Sequence, residues 1–394
     1  RIHRQQVALW LAGDLDPPPF EKRVADARTM RSALDHLRRG GPSAPGPNGH
    51  RLQDLTSPEA WSMCRALAQS LRADTYRPGP VQHVEIPKGS GRGTRILQIP
   101  NIEDRVVGRA LVEIIQPVYE HLLQPFAFGW RPNRDRRHAL ATAMAFAQHH
   151  SLTYMLIDDV RDAFDNIPRR RFLSAVQRTL GEETERLIER IIGDNKRGLI
   201  QGKCESPLLA NVHFDSHIDR RWYRRRPDRP LIRFGDDLLA MHASRDEAQR
   251  AREDLTRIAS SGSGTPLKGG EQAEIRDLRS GEAIDWLGYR LQRVEGELTV
   301  RPGPRSWRQL REGLDRCHDA PLPPLRARAV VRGWIEQLAP CQPHVGHGSL
   351  CERIRTIAAE SGFDELPDNP KLLTWLNLAY GRWLNLRQRE TRKL

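Results

Sequence analysis

Two short apolar runs, Leu231-Ile232 and Leu238 to Met241, flank the turn-prone Gly235-Asp236-Asp237. This pattern predicts a β-hairpin over Pro230–Ala243 with both carboxylates at its tip. A second apolar run, Tyr154-Met-Leu-Ile, predicts a strand that ends in Asp158-Asp159-Val160 and runs on into Arg161-Asp162-Ala163-Phe164-Asp165. Alternation in Val81–Lys88, a turn over Gly89–Gly93 and a strand over Thr94–Ile99 predict another hairpin, carrying Lys88, Arg92 and Arg95. Helical patterning covers Glu21–Arg39, Asp104–Leu122, a stretch through Ile192, Asp246–Ile258 and a basic amphipathic Leu372–Leu394. Ser206 is a good N-cap and Pro207 a good first residue for a further helix. Gly40–Gly49 is too rich in Gly and Pro to be anything but a loop, Ser260–Gly264 reads as a flexible turn, and Pro321–Pro324 breaks the helical pattern that begins after Pro302.

An aspartate pair at the end of apolar strands repels itself and stays ionised readily only beside a cation. Hard oxygen ligands point to Mg²⁺, with Mn²⁺ the alternative, because Mg²⁺ takes one or two carboxylates and leaves its other positions to water and phosphate. If the two aspartate-bearing segments are neighbouring strands, Asp159 and Asp236 can hold two ions between them, the arrangement that clamps attacking and leaving oxygens in phosphoryl transfer.

Charge strengthens that direction. The 394 residues carry a formal net charge of +13, almost all of it arginine, since lysine occurs only at 22, 88, 196, 203, 268, 371 and 393. Such an excess fits a polyanionic partner. Arg220-Arg-Trp-Tyr-Arg-Arg-Arg226 interleaves aromatics with cations, which suits either nucleic acid or a solvated helix end. Five scattered cysteines exclude a disulfide framework, and no apolar run reaches membrane-spanning length, so a cytoplasmic location is expected. Cys341, His344, His347 and Cys351 are zinc-ligand types, but their spacing matches no zinc module and zinc is not expected.

Asp159-Val-Arg-Asp-Ala-Phe-Asp-Asn-Ile167 and Phe234-Gly-Asp-Asp237 resemble motifs A and C of reverse transcriptases, and Gln201-Gly-Lys-Cys-Glu-Ser-Pro-Leu-Leu-Ala-Asn211 between them resembles motif B. Arg95-Ile-Leu-Gln-Ile-Pro100, Asp104-Arg-Val-Val107, Phe128-Gly-Trp-Arg-Pro132, Asp285-Trp-Leu-Gly-Tyr289 and Val331-Arg-Gly-Trp334 are similar to the bacterial group II intron branch. The resemblance implies an α+β right-hand polymerase: an N-terminal helical extension over 1–40, fingers with part of the palm over 41–150, a palm with an antiparallel sheet over 151–300, and an α-helical thumb with a C-terminal basic helix over 301–394.

It also implies roles. Asp159, Asp236 and Asp237 become metal-binding catalytic acids, with the Val160 carbonyl as a further metal ligand. Lys88 and Arg95 would grip the triphosphate, Arg131 a template phosphate. Asp162, Ala163 and Phe164 would meet the nucleotide sugar, the Phe164 ring crowding a 2′-hydroxyl. Gln201 and Gly202 would lie near the base pair, and Trp286, Leu287, Gly288 and Tyr289 would form the primer grip. The lysine that serves this family as general acid is replaced by Gln272; Lys268, four residues earlier, is the substitute. The implied function is RNA-directed DNA synthesis from a primer, using deoxynucleoside triphosphates on an RNA template. The alternatives are an intron maturase, a splicing factor that clasps structured RNA, or a domesticated relative in phage defence or spacer acquisition.

Overall fold

The computed structural model describes residues 2–41, 43–87, 93–193 and 197–393, apart from the side chains of Ile2, Pro87, Arg95 and His347. Helices and antiparallel sheets alternate irregularly along the chain, an α+β arrangement. Two compact units emerge, each assembled from separate stretches: 1–131 with 160–225 and 255–267, and 132–159 with 226–254 and 268–394.

The first unit is mainly helical. Among the described residues a two-stranded sheet pairs β1 (Val81–Pro87) with β2 (Thr94–Pro100), antiparallel as expected, with Ile86 opposite Arg95. The helix Ile102–Leu122 is the core element, burying Ile102, Val106, Val107, Leu111, Ile115 and Val118 completely. Several boundaries differ from the sequence expectation. Helix Glu21–Arg39 is two helices, Phe20–Val24 and Ala27–Arg39, because the Asp26 carboxylate accepts hydrogen bonds from the Arg28 and Thr29 N–H groups and restarts the helix. The stretch before Ile192 divides likewise at Gly181, into Arg169–Leu180 and Glu182–Ile192. Ser206 is helical rather than capping: Glu205 takes the cap position, and the Ser206 hydroxyl donates to the Ile200 carbonyl at 2.7 Å. The expected flexible turn at Ser260 is a π-helical continuation, Ile258–Ser263.

The second unit holds two sheets. β3 (Tyr154–Asp159), β4 (Leu231–Phe234), β5 (Asp237–His242) and β6 (Ile275–Asp277) form an antiparallel sheet in the order β4-β5-β3-β6. Its central strands are buried through Met155, Leu156 and Leu238 to Met241, so they read as unbroken apolar runs. β7 (Ile284–Trp286), β8 (Tyr289–Val294) and β9 (Glu297–Pro302) make a three-stranded meander. Four helices follow, Pro304–Asp315, Pro323–Leu338, His347–Glu360 and Asn369–Thr391. The Trp334 indole donates to the Ser306 carbonyl at 3.0 Å and ties the first two of them together. No helix among the described residues is long and apolar enough to cross a membrane.

Candidate functional site

The β4–β5 hairpin closes through the two residues Gly235 and Asp236. Gly235 has φ of +69°, the left-handed value that a two-residue hairpin turn asks of its first central residue. Beneath it lies Arg233, fully buried, whose guanidinium donates to the Gly235 carbonyl at 3.1 Å. Asp236 therefore sits in the turn, while Asp237 is the first residue of β5, opposite Phe234 on one side and Asp159 on the other.

That register brings motifs A and C together. Two carboxylates directly opposite in neighbouring antiparallel strands have Cβ atoms about 5 Å apart, a destabilising pairing unless something positive lies between them. Burial, followed by the charges of Asp159 and Asp236, pushes the Asp237 carboxyl up to about 7. Burial also raises Asp159 to about 6, with Asp236 and Asp158 adding to the rise and Lys268 opposing it. Asp236 is raised by burial as well.

Lys268 meets this charge directly. Its ammonium donates to Asp159 Oδ2 at 2.7 Å, and its backbone N–H donates to the Asp159 carbonyl at 2.8 Å. Burial pulls the lysine down, but the bond to Asp159 leaves it above its ordinary range. Arg305, at the start of the helix Pro304–Asp315, adds a second cation that stabilises ionised Asp236 and Asp237. Sequence reasoning missed Arg305, since only the fold brings residue 305 to residue 236.

Among the described residues no three His, Cys, Asp or Glu side chains gather into a ready metal cage. The donor set nevertheless fits an open site. Asp159 Oδ1 is buried without a hydrogen-bond partner, and the opposed carboxylates are acceptor-only oxygens of the kind that hard divalent cations use alongside water and phosphate. The bridge between Val160 and Leu267 is closed by the bonds of the flanking residues, leaving the Val160 carbonyl unused by it. Cys341 and Cys351 are buried thiols raised by burial, and the His347 side chain lies outside the described residues.

The other expected residues fall as follows. Lys88 and Arg92 lie outside the described residues, as does the Arg95 side chain, although the Arg95 backbone is in β2. Asp162 is exposed with φ of +42° and precedes the short helix Ala163–Asn166. Within the same unit Phe164 is half-buried, its ring 5.1 Å from that of Trp130. The Gln201 carbonyl accepts from the Gln98 N–H at 2.9 Å, stitching motif B to β2. Gly202 is glycine for the same reason: at φ of +128°, a Cβ there would stand 2.3 Å from the Gln98 carbonyl oxygen. Next to it Lys203 and Glu205 form a buried ion pair, with the Lys203 ammonium also donating to the Ile191 carbonyl at 3.2 Å.

One expectation needs correcting. Arg131 cannot serve a template phosphate: it is buried, held by Glu120, and donates to the Gln124 and Ala127 carbonyls, so it staples its own loop. In the primer-grip motif the side chains of Trp286 and Tyr289 are buried, 2% and 0% exposed, in keeping with the packing role that the sequence equally allowed them, and the Tyr289 hydroxyl donates to the Gln337 carbonyl at 2.6 Å. The partly exposed members of that motif are Leu287 and Gly288, which form the β7–β8 turn.

The reverse transcriptase (RNA-dependent DNA polymerase) family profile matches residues 86–268. Protein YkfC of Escherichia coli (strain K12) is 27% identical over 213 residues, 50% of this chain and 55% of that protein. Group II intron-encoded protein LtrA of Lactococcus lactis subsp. cremoris is 25% identical over 173 residues, 41% of this chain and 28% of that protein. The chain thus spans little more than half of the first relative and just over a quarter of the second. Among solved structures, apo telomerase from Candida tropicalis aligns at a TM-score of 0.47 and 10% identity, covering 90% of this chain and 70% of its own. A partial Cas6-RT-Cas1–Cas2 complex aligns at a TM-score of 0.36 and 19% identity, covering 62% and 42%. Residues 86–268 of the chain thus match the reverse transcriptase family profile, and part of the chain is similar to a group II intron-encoded protein.

Proposed function

We propose that this protein is an RNA-directed DNA polymerase that extends a primer with deoxynucleotides on an RNA template. The observation that carries the proposal is the pairing of Asp159 with Asp237 at the ends of β3 and β5, with Asp236 in the adjoining turn. Asp159, Asp236, Asp237 and the Val160 carbonyl would hold Mg²⁺, or Mn²⁺ in its place. Two such ions supply Lewis-acid stabilisation to the attacking and leaving oxygens of an in-line displacement.

The chain's own groups do the rest. The primer 3′-hydroxyl gives up its proton to solvent water, its oxygen bonds to the α-phosphorus, the bond from that phosphorus to the oxygen bridging it to the β-phosphorus breaks, and pyrophosphate leaves. Lys268, an ammonium beside Asp159, is the proton donor to that leaving group. Lys88 and Arg95 neutralise the triphosphate; Asp162 and Ala163 border the sugar, and Phe164 excludes a 2′-hydroxyl. Gln201 and Gly202 line the base pair, and the turn Leu287-Gly288 between Trp286 and Tyr289 supports the primer end. The partners would be RNA template, DNA or RNA primer and deoxynucleoside triphosphates.

A second reading, an intron maturase, is favoured by the intron-encoded relatives. One experiment separates the two: purified protein, an RNA template with annealed DNA primer, Mg²⁺, and deoxynucleotides against ribonucleotides. The polymerase reading expects extension with deoxynucleotides, a loss on the order of 10³-fold or more in Asp236→Ala, and admission of ribonucleotides in Phe164→Val. Absence of extension by the unaltered protein, with splicing that survives Asp236→Ala, would leave the maturase.

A further inference from the structure

Asp158 precedes the metal-ligand candidate Asp159, and strand alternation turns the two carboxylates to opposite faces of β3. Asp158 is 7% exposed and fully engaged. Its Oδ1 accepts from the Asp159 N–H at 2.8 Å and from the Gly269 N–H at 2.8 Å, and its Oδ2 accepts from the Gly270 N–H at 2.7 Å. Successive backbone N–H groups converging on one anion form a nest. Two glycines suit it: Gly270 has φ of +53°, and a Cβ on Gly269 would meet the Ala273 backbone at 2.9 Å.

The nest begins at the residue after Lys268. The three consecutive N–H groups of residues 268, 269 and 270 are therefore all bonded to the Asp158-Asp159 pair, the first to the Asp159 carbonyl. Beyond it the chain winds into a single 3₁₀ turn, Gly270–Gln272, and Gln272 is exposed. The position where the family carries its lysine thus lies past the clamp, whereas Lys268 lies at its start with its ammonium on Asp159.

We propose that Asp158 is a positioning residue that fixes the register of the 268–272 loop so that Lys268, in place of residue 272, stands on the aspartate site. The acid at 158 and the displaced lysine at 268 are then one coupled device. Asp158 touches no reacting atom; it acts through Lys268, and the catalytic consequence rests on the polymerase reading above. An asparagine at 158 would turn an N–H toward one of the three donors, breaking a charge-assisted bond and loosening the loop.

Two arms, one independent of activity, test the device. Only seven lysines exist in the chain, so acylation by an N-hydroxysuccinimide ester followed by mass spectrometry resolves Lys268 from Lys22 and Lys371. In Asp158→Asn, Lys268 is expected to label about tenfold faster, the factor that corresponds to one lost hydrogen bond to a charged group, with Lys22 and Lys371 unchanged. An unchanged Lys268 rate in folded Asp158→Asn overturns the proposal. In primer extension, Asp158→Asn should lower kcat about tenfold and Lys268→Ala about 10²-fold, with the double variant no worse than Lys268→Ala and the nucleotide KM held. Losses that multiply would show two independent residues. If Asp158→Asn does not fold, Lys268→Ala/Gln272→Lys decides: the clamp keeps residue 272 off the site, so no recovery is expected, and recovery refutes the register. An unaltered protein that extends no primer would sink the polymerase reading alone, since the labelling arm still reports on the loop.

Discussion

Two hairpins in the same unit each turn on two residues, and they carry opposite kinds of stress. The β4–β5 turn, Gly235-Asp236, is conformationally easy, because glycine takes the positive φ. Its stress is electrostatic: three carboxyls raised by burial, two of which, Asp159 and Asp237, are raised further by neighbouring carboxylates. The β7–β8 turn, Leu287-Gly288, is electrically quiet but puts Leu287 at φ of +50°, where a side chain sits poorly. Here the protein supplies the remedy itself. Arg136 donates to the Leu287 carbonyl at 3.1 Å and stacks 5.0 Å from the Tyr289 ring, and Tyr289 holds Gln337. Stress left for a ligand to relieve marks a binding site, whereas stress relieved by packing marks a support.

The largest effect should come from the first hairpin. Asp237→Ala is expected to abolish primer extension, by on the order of 10³-fold or more, while circular dichroism shows an intact fold. Retained activity would mean that the opposed pair is structural.

Next in size is a pH dependence. Asp159 and Asp237 have folded values of about 6 and about 7, above the ~3.9 of an unfolded aspartate, so the folded chain binds more protons across that window. Their contribution to stability is complete below about pH 4 and is lost as pH rises toward 7, amounting to roughly 3 kcal/mol for Asp159 and about 4 kcal/mol for Asp237. Denaturant melts of metal-free protein should show the decline, Asp237→Asn should flatten it, and added Mg²⁺ should stabilise most above pH 7. A site that gained stability over the same range would reverse the electrostatic account.

Smallest are the changes at the second hairpin. Leu287→Asn should raise stability by about 1 kcal/mol, because asparagine accepts the left-handed turn, and Tyr289→Phe should lower it by about 1 kcal/mol through the lost hydrogen bond. Neither change should depend on Mg²⁺. A metal-dependent shift in either melt would erase the distinction between the two hairpins.

Much of this was legible in the residue order. Apolar runs ending in acids located β3 and the β4–β5 hairpin, because a buried sheet leaves little choice of residue except where function intrudes. The N-terminal helix break was hidden because Asp26 looks like any surface acid until it caps Ala27–Arg39. Nothing in the residue order shows that Lys203 and Glu205 pair with each other in the interior. The role of Asp158 was hidden because two of its three backbone partners lie 111 and 112 positions away. Arg131 misled in the other direction, since a motif shows where an arginine stands and not whether its guanidinium is already engaged.

The central claim concerns what the three aspartates hold. Electron paramagnetic resonance titration of Mn²⁺ at pH 8 measures it directly, with the unaltered protein beside Asp159→Asn, Asp236→Asn and Asp237→Asn. The account predicts bound Mn²⁺ in the unaltered protein and at least about tenfold weaker binding in each variant, one lost charged ligand apiece. Equal binding in all four proteins would contradict it.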